Sequence, residues 1–97
     1  MLTSKQRSEL RAMANGIDTI VHIGKGGIND NIIKQATGAL KAREIIKCRV
    51  LESALLSAGE ACEKMAELTQ SESVQVIGTK FVLYKRNQDK PKIVLSK

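Results

Sequence analysis

Four short apolar stretches and three segments of helical period alternate along this chain. In residues 4–14 and just beyond, Leu10, Met13, Ala14 and Ile17 recur at i, i+3, i+4 and i+7, which gives one apolar stripe on a helix. Thr3 with Gln6 forms a capping box ahead of it, and Asn15-Gly16 is a stop signal. Lys5, Arg7 and Arg11 fall off the stripe, as a solvated face does. Thr19 to Ile23 is short and β-branched, and reads as a strand. A second helix is expected from Asp30 to Ala42. Asn29 is its N-cap, Ile28 and Ile33 take the staple positions, and Ile32, Ile33, Ala36, Ala39 and Leu40 form its buried face. Lys34, Gly38 and Lys41 lie on the opposite face.

Glu44 to Leu51 reads as the second strand. Ile46, Cys48 and Val50 share one side; Ile45, Lys47 and Arg49 share the other. Ser57 with Glu60 opens a third helix, its inner face set by Ala61, Cys62, Met65, Ala66 and Leu68 and its outer face by Glu60, Glu63, Lys64 and Glu67. Val74 to Ile77 and Phe81 to Tyr84 are joined through Gly78-Thr79-Lys80 as a hairpin. The tail from about residue 87 is polar with one proline and is expected to be loose, with Ile93 to Leu95 as a stretch that could add a short strand. The order is α-β-α-β-α-β-β in a single domain over residues 1–97. Strands separated by helices need crossovers and hence parallel pairing, while the hairpin must be antiparallel. The expected class is α/β, an α+β sandwich-like arrangement with helices packed on a mixed four-stranded sheet.

Composition narrows the function. With 42% apolar residues, one Phe, one Tyr and no Trp, the core must be aliphatic. No apolar run approaches the roughly 18–20 residues of a membrane span. The polar start MLTSKQRSEL lacks the apolar segment of a secretory signal, so a cytoplasmic protein is expected. Two cysteines, Cys48 and Cys62, fit small core side chains better than a disulfide framework. One His and no CxxC leave no zinc pattern, and no cofactor is expected.

The net charge is +6, unevenly spread. Residues 19–51 carry six basic and two acidic side chains, residues 52–72 one and five, and residues 73–97 six and one. An acidic helix between two basic segments implies a molecule with one basic side and a polyanionic partner.

The chemistry centres on Gly24-Lys25-Gly26-Gly27, between the first strand and the second helix. Asn29 stands where a dinucleotide fingerprint needs its third glycine, and no Gly-Lys-Ser/Thr follows for a Walker loop. GKGG does fit G-x-x-G, the loop with which KH modules hold a single-stranded backbone. Helix N-termini favour phosphate, and Lys25 adds a full charge. With few aromatics, contact falls mainly on phosphate and sugar, with limited sequence reading. His22 precedes the loop and reads as structural, since no carboxylate or nucleophile neighbours it.

LTSKQR, VHIGKGGINDNII, REIIKCRVL and VQVIGTKFVLYKR, four blocks in order over residues 2–86, together resemble the CRM domain, closely its stand-alone bacterial YhbY type. The sequence departs at Asp18, where such proteins often carry a proline; this touches a turn and not the loop. The resemblance implies a fold similar to the C-terminal domain of translation initiation factor three. It also implies RNA binding, association with precursors of the large ribosomal subunit, and a role in their assembly. It makes Gly24, Lys25, Gly26 and Gly27 the RNA-contacting loop. The loop geometry adds Asn29, and the charge pattern adds Lys34, Lys41, Lys47, Arg49, Lys80, Lys85 and Arg86. The expected partner is ribosomal RNA, bound by a monomer, with no membrane and no small-molecule substrate. Two other readings stand beside this one. One is a permanent structural component of a ribonucleoprotein; the other is an enzyme acting on RNA or a nucleotide, for which no paired carboxylates, metal cluster or nucleophile elbow is visible.

Overall fold

A computed structural model describes residues 2–96. Its elements are α1 (Ser4–Ala14), β1 (Thr19–Ile23), α2 (Asp30–Arg43), β2 (Ile45–Val50), α3 (Ala58–Thr69), β3 (Glu72–Ile77) and β4 (Lys80–Tyr84). The three helix starts are set locally. Thr3 with Gln6 and Ser57 with Glu60 close reciprocal capping boxes, and the Asn29 side chain accepts from the Ile32 amide at 3.0 Å.

The strands form one mixed sheet in the order β1-β2-β4-β3. β1 and β2 are parallel, and β4 lies antiparallel between β2 and β3. The sheet is covered on both faces. Val21, Ile23, Ile46, Cys48, Phe81 and Leu83 meet α2 and α3 in the larger core. Ile45, Val74, Val82 and Tyr84 meet Leu10 and Ala14 of α1 in the smaller one. Both cysteines are free and buried in the larger core.

This topology gives the sheet two different ends. β1 and β2 run towards the end that holds the glycine loop, the β3–β4 turn and the N-termini of α2 and α3. There the Leu51 amide donates to the Ile23 carbonyl and the Val50 amide to the Thr79 carbonyl, each at 2.8 Å. The far end holds the C-termini of α2 and α3, the start of β2 and the end of β4. With 14 residues, α2 separates the two ends by roughly 20 Å.

The tail differs from the sequence expectation. Ile93 and Leu95 pack against the smaller core, and residues 93–95 form no strand. The anchor is Glu44, fully buried between α2 and β2 with φ of 66°. Its carboxylate accepts the backbone amides of Asn87 at 2.7 Å, Ile93 at 2.7 Å and Lys92. Glu9 of α1 accepts the Ser96 amide at 2.9 Å, and the Gln6 side chain donates to the Ser96 carbonyl. Such bonds couple residues far apart in sequence, so the polar composition of the tail did not reveal them. Two stripe residues are also corrected. Met13 and Leu68 are exposed, because α1 and α3 each bury a narrower face than their apolar positions suggest.

Candidate nucleic-acid interface

The glycine loop is a tight turn at the mouth of α2. The Gly27 amide donates to the Gly24 carbonyl at 2.9 Å, and Gly27 takes φ of 66°, a conformation that disfavours any side chain. At Gly26 a Cβ would stand 3.1 Å from the Asn29 side-chain nitrogen, tight against the group that caps α2. Lys25 and Gly26 are exposed at the tip. Asn29 occupies the Ile32 amide; the first amides of the helix remain turned to its N-terminal side, where anions are favoured. Asp30 in the first turn partly offsets that field.

Beside the loop, strand register assembles a row of basic side chains. His22 lies opposite Arg49, Arg49 opposite Lys80, and Lys80 opposite Ile77. Their chain neighbours Val21, Ile23, Cys48, Val50 and Phe81 point into the larger core, so all four of these residues face the α1 side. At about 4.8 Å per strand, His22, Arg49 and Lys80 span roughly 10 Å of sheet. Lys47 stands one pleat behind, opposite Val82. α1 covers Ile45, Val82 and Tyr84 but leaves this row exposed. His22 was read as structural in the sequence. The signal that places it here is the period-two alternation that sends Val21 and Ile23 inward.

The structure thus separates the basic positions singled out from sequence. Gly24, Lys25, Gly26, Gly27, Asn29, Arg49 and Lys80 gather at the loop end; Lys34, in the second turn of α2, is on the other side of the sheet from the row, and Lys47 is mid-strand in β2. Lys41, Lys85 and Arg86 lie at the far end. The Lys85 ammonium there donates to the Thr69 carbonyl at 3.1 Å, closing the C-terminus of α3. The Lys41 carbonyl accepts from the Asn87 side chain.

Glu60, Glu63 and Glu67 are exposed on α3, across the sheet from the basic row. The Glu60 carboxyl is held below its ordinary range by hydrogen bonds from the Ser57 backbone and side chain. Burial pushes the Cys48 thiol up to about 12, so it stays protonated at neutral pH and behaves as an apolar side chain. Among the described residues, no group of three or more His, Cys, Asp or Glu is placed to hold a metal ion, and no helix is long and apolar enough to cross a membrane.

Comparison with known proteins meets this geometry with a family. The model of the CRS1 / YhbY (CRM) domain matches residues 2–85. The chain belongs to the CRM domain family. The CRM match takes in every singled-out position except Arg86. "Probable RNA-binding protein YqeI" of Bacillus subtilis is 42% identical over 95 residues, covering 98% of this chain and 99% of that protein. "Probable RNA-binding protein MJ0652" of Methanocaldococcus jannaschii is 34% identical, over 99% of this chain and 72% of its own length. The solution structure of the hypothetical protein SAV1595 of Staphylococcus aureus, whose description proposes RNA binding, superposes with a TM-score of 0.82. It is 46% identical and covers 99% of this chain and 100% of its own.

Proposed function

We propose that this protein is a non-enzymatic RNA-binding factor that acts on ribosomal RNA in precursors of the large ribosomal subunit. The observation that carries RNA binding is the gathering, at one end of the sheet, of the GKGG turn, the N-terminus of α2 and the row His22, Arg49 and Lys80. The turn holds one stretch of sugar-phosphate backbone close to the main chain, and Arg49 and Lys80 neutralise the phosphates that follow. The relatives named for RNA binding support the ligand class. The ribosomal step rests on the family resemblance.

Lys25, Arg49 and Lys80 are the central cations of this interface, with Lys47 one pleat behind them and Lys34 on the α2 side of the turn. Lys41, Lys85 and Arg86 lie outside its reach for one short strand. In-cell crosslinking followed by sequencing of the attached RNA tests the target. Reads from large-subunit ribosomal RNA, with the protein sedimenting alongside immature particles in a sucrose gradient, are expected. Stoichiometric protein on mature ribosomes would instead identify a permanent component.

A further inference from the structure

The C-terminal end of α1 does not close on the sheet, and the gap is a cleft of about 180 Å³. Its floor is apolar, with Val82 in the sheet and Ile77 at the open side. Its polar lining residues are Asn15 and Gln75, which carry carboxamides, and Lys47 and Lys80, which carry ammoniums. Register brings these together, since Val82 lies between Lys47 and Gln75, while Lys80 and Ile77 form the next pair towards the glycine loop. The cleft is smaller than the roughly 300–1,000 Å³ of sites that hold drug-sized ligands. It suits one flat heterocycle, and it opens directly beside the Arg49–Lys80 row.

We propose that this cleft receives a single unpaired RNA base, and that it prefers one with a carbonyl at pyrimidine C4 or purine C6, uracil or guanine, over one with an amino group at that position. The inference rests on the RNA-binding reading and adds a specificity site to it. Unpaired bases are the part of RNA that proteins read by sequence, and an apolar floor takes their faces. The polar groups decide which edge fits. Lysine ammoniums only donate, whereas each carboxamide both donates and accepts. Donors therefore exceed acceptors. A ring carbonyl meets this set well. Where the 4-position of a pyrimidine or the 6-position of a purine faces the ammoniums, a carbonyl accepts and an amino group turns a donor towards them. The neighbouring ring nitrogen, a donor in uracil and guanine and an acceptor in cytosine and adenine, then faces the carboxamides, which can take either. The strand that leaves the glycine turn along the basic row thus drops one base between α1 and the sheet.

Oligouridine and oligocytidine of equal length differ at the base in O4 against the 4-amino group and in N3–H against N3, and oligoinosine and oligoadenosine make the matching contrast at C6 and N1. In fluorescence anisotropy at fixed salt, the wild-type protein should bind oligouridine about five- to tenfold tighter than oligocytidine, the worth of about one good edge contact. Lys47→Met, which removes one of the two ammoniums, should bring the ratio towards one, beyond the salt-dependent loss that both oligomers share; Lys47→Glu, which replaces a donor by acceptors, should move it towards oligocytidine. Equal wild-type affinities, or a preference that survives Lys47→Met, would overturn the cleft and leave the RNA-binding reading standing. Binding of none of the oligomers would overturn both. Should Lys47→Met not fold, titrating the wild type with uridine and cytidine 5′-monophosphates decides the point. The side-chain amide signals of Asn15 and Gln75 should shift with uridine at lower concentration, and equal or absent shifts would overturn the proposal.

Discussion

At the residue scale, three glycines carry opposite consequences. Gly27 sits at φ of 66°, so Gly27→Ala should lower stability by about 1 kcal/mol through backbone strain alone. Gly38, exposed in the interior of α2, has nothing within 4 Å of where its Cβ would be. Gly38→Ala should therefore raise stability by about 1 kcal/mol in urea denaturation; a loss would show that the position is packed. Gly26 presses on the α2 cap, so its substitution mixes loop and helix effects. Lys25 is the cleaner probe, because it is exposed at the tip of the turn. Lys25→Glu should leave the melting temperature within a degree or two and weaken RNA binding at least tenfold at low salt. Unchanged affinity would remove the turn from the interface. The turn, its lysine and the three caps were legible in sequence because their partners lie within a few residues. Burial of single side chains was less so, as Met13 and Leu68 show, because it depends on how far a neighbouring element extends.

At the element scale, the chain order and the mixed pairing followed from strand–helix alternation and one hairpin. The spatial order β1-β2-β4-β3 did not, because no local pattern says where a hairpin docks. The same limit hid the C-terminal strap. Glu44 has no glycine at its left-handed position and no nearby partner in sequence, yet it holds three amides of residues 87–93. Burial raises its pKa, but these backbone hydrogen bonds and the Arg86 charge outweigh burial and leave it below the ordinary 4.5. The unfolded chain then binds the proton more readily than the folded one. The stabilisation from Glu44 is thus complete above about pH 4.5 and is lost as pH falls through the lower folded value. Glu44→Gln should reduce stability by about 1–3 kcal/mol at neutral pH, since one oxygen acceptor becomes a donor. It should also flatten the acid limb of a stability–pH curve. An acid limb of the same slope would show that another carboxylate governs it. Amide exchange of Lys92 and Ile93 should quicken in the variant before that of β2 does.

At the scale of the whole molecule, charge follows topology. The sheet separates the basic row from the carboxylates of α3, and α2 separates the loop-end cations from Lys41, Lys85 and Arg86. Sequence composition gave two basic segments without saying that each is divided between the ends. Arg49 and Lys80 come from different segments yet lie directly opposite each other, while Lys80 and Lys85, five residues apart, stand at opposite ends of one strand. On the proposed reading, a single RNA strand held by the glycine turn would meet Arg49 and Lys80 at the same end of the sheet and would reach Arg86 only by traversing the sheet or bending round α2. The two sets should then differ in salt dependence. On that reading, reversing Arg49 and Lys80 together removes two phosphate contacts. It should reduce the slope of log affinity against log salt by about 1.4, with an affinity loss near a hundredfold at about 0.1 M salt. At the same 0.1 M salt, reversing Lys41 and Arg86 makes the same change in net charge at the far end and should cost under about threefold, the long-range share that survives a Debye length of roughly 10 Å. Lys85 is left out of the comparison because its bond to the Thr69 carbonyl belongs to the fold. Equal losses from the two pairs would mean that RNA wraps the whole protein, and the loop-end interface would then be one part of a larger surface.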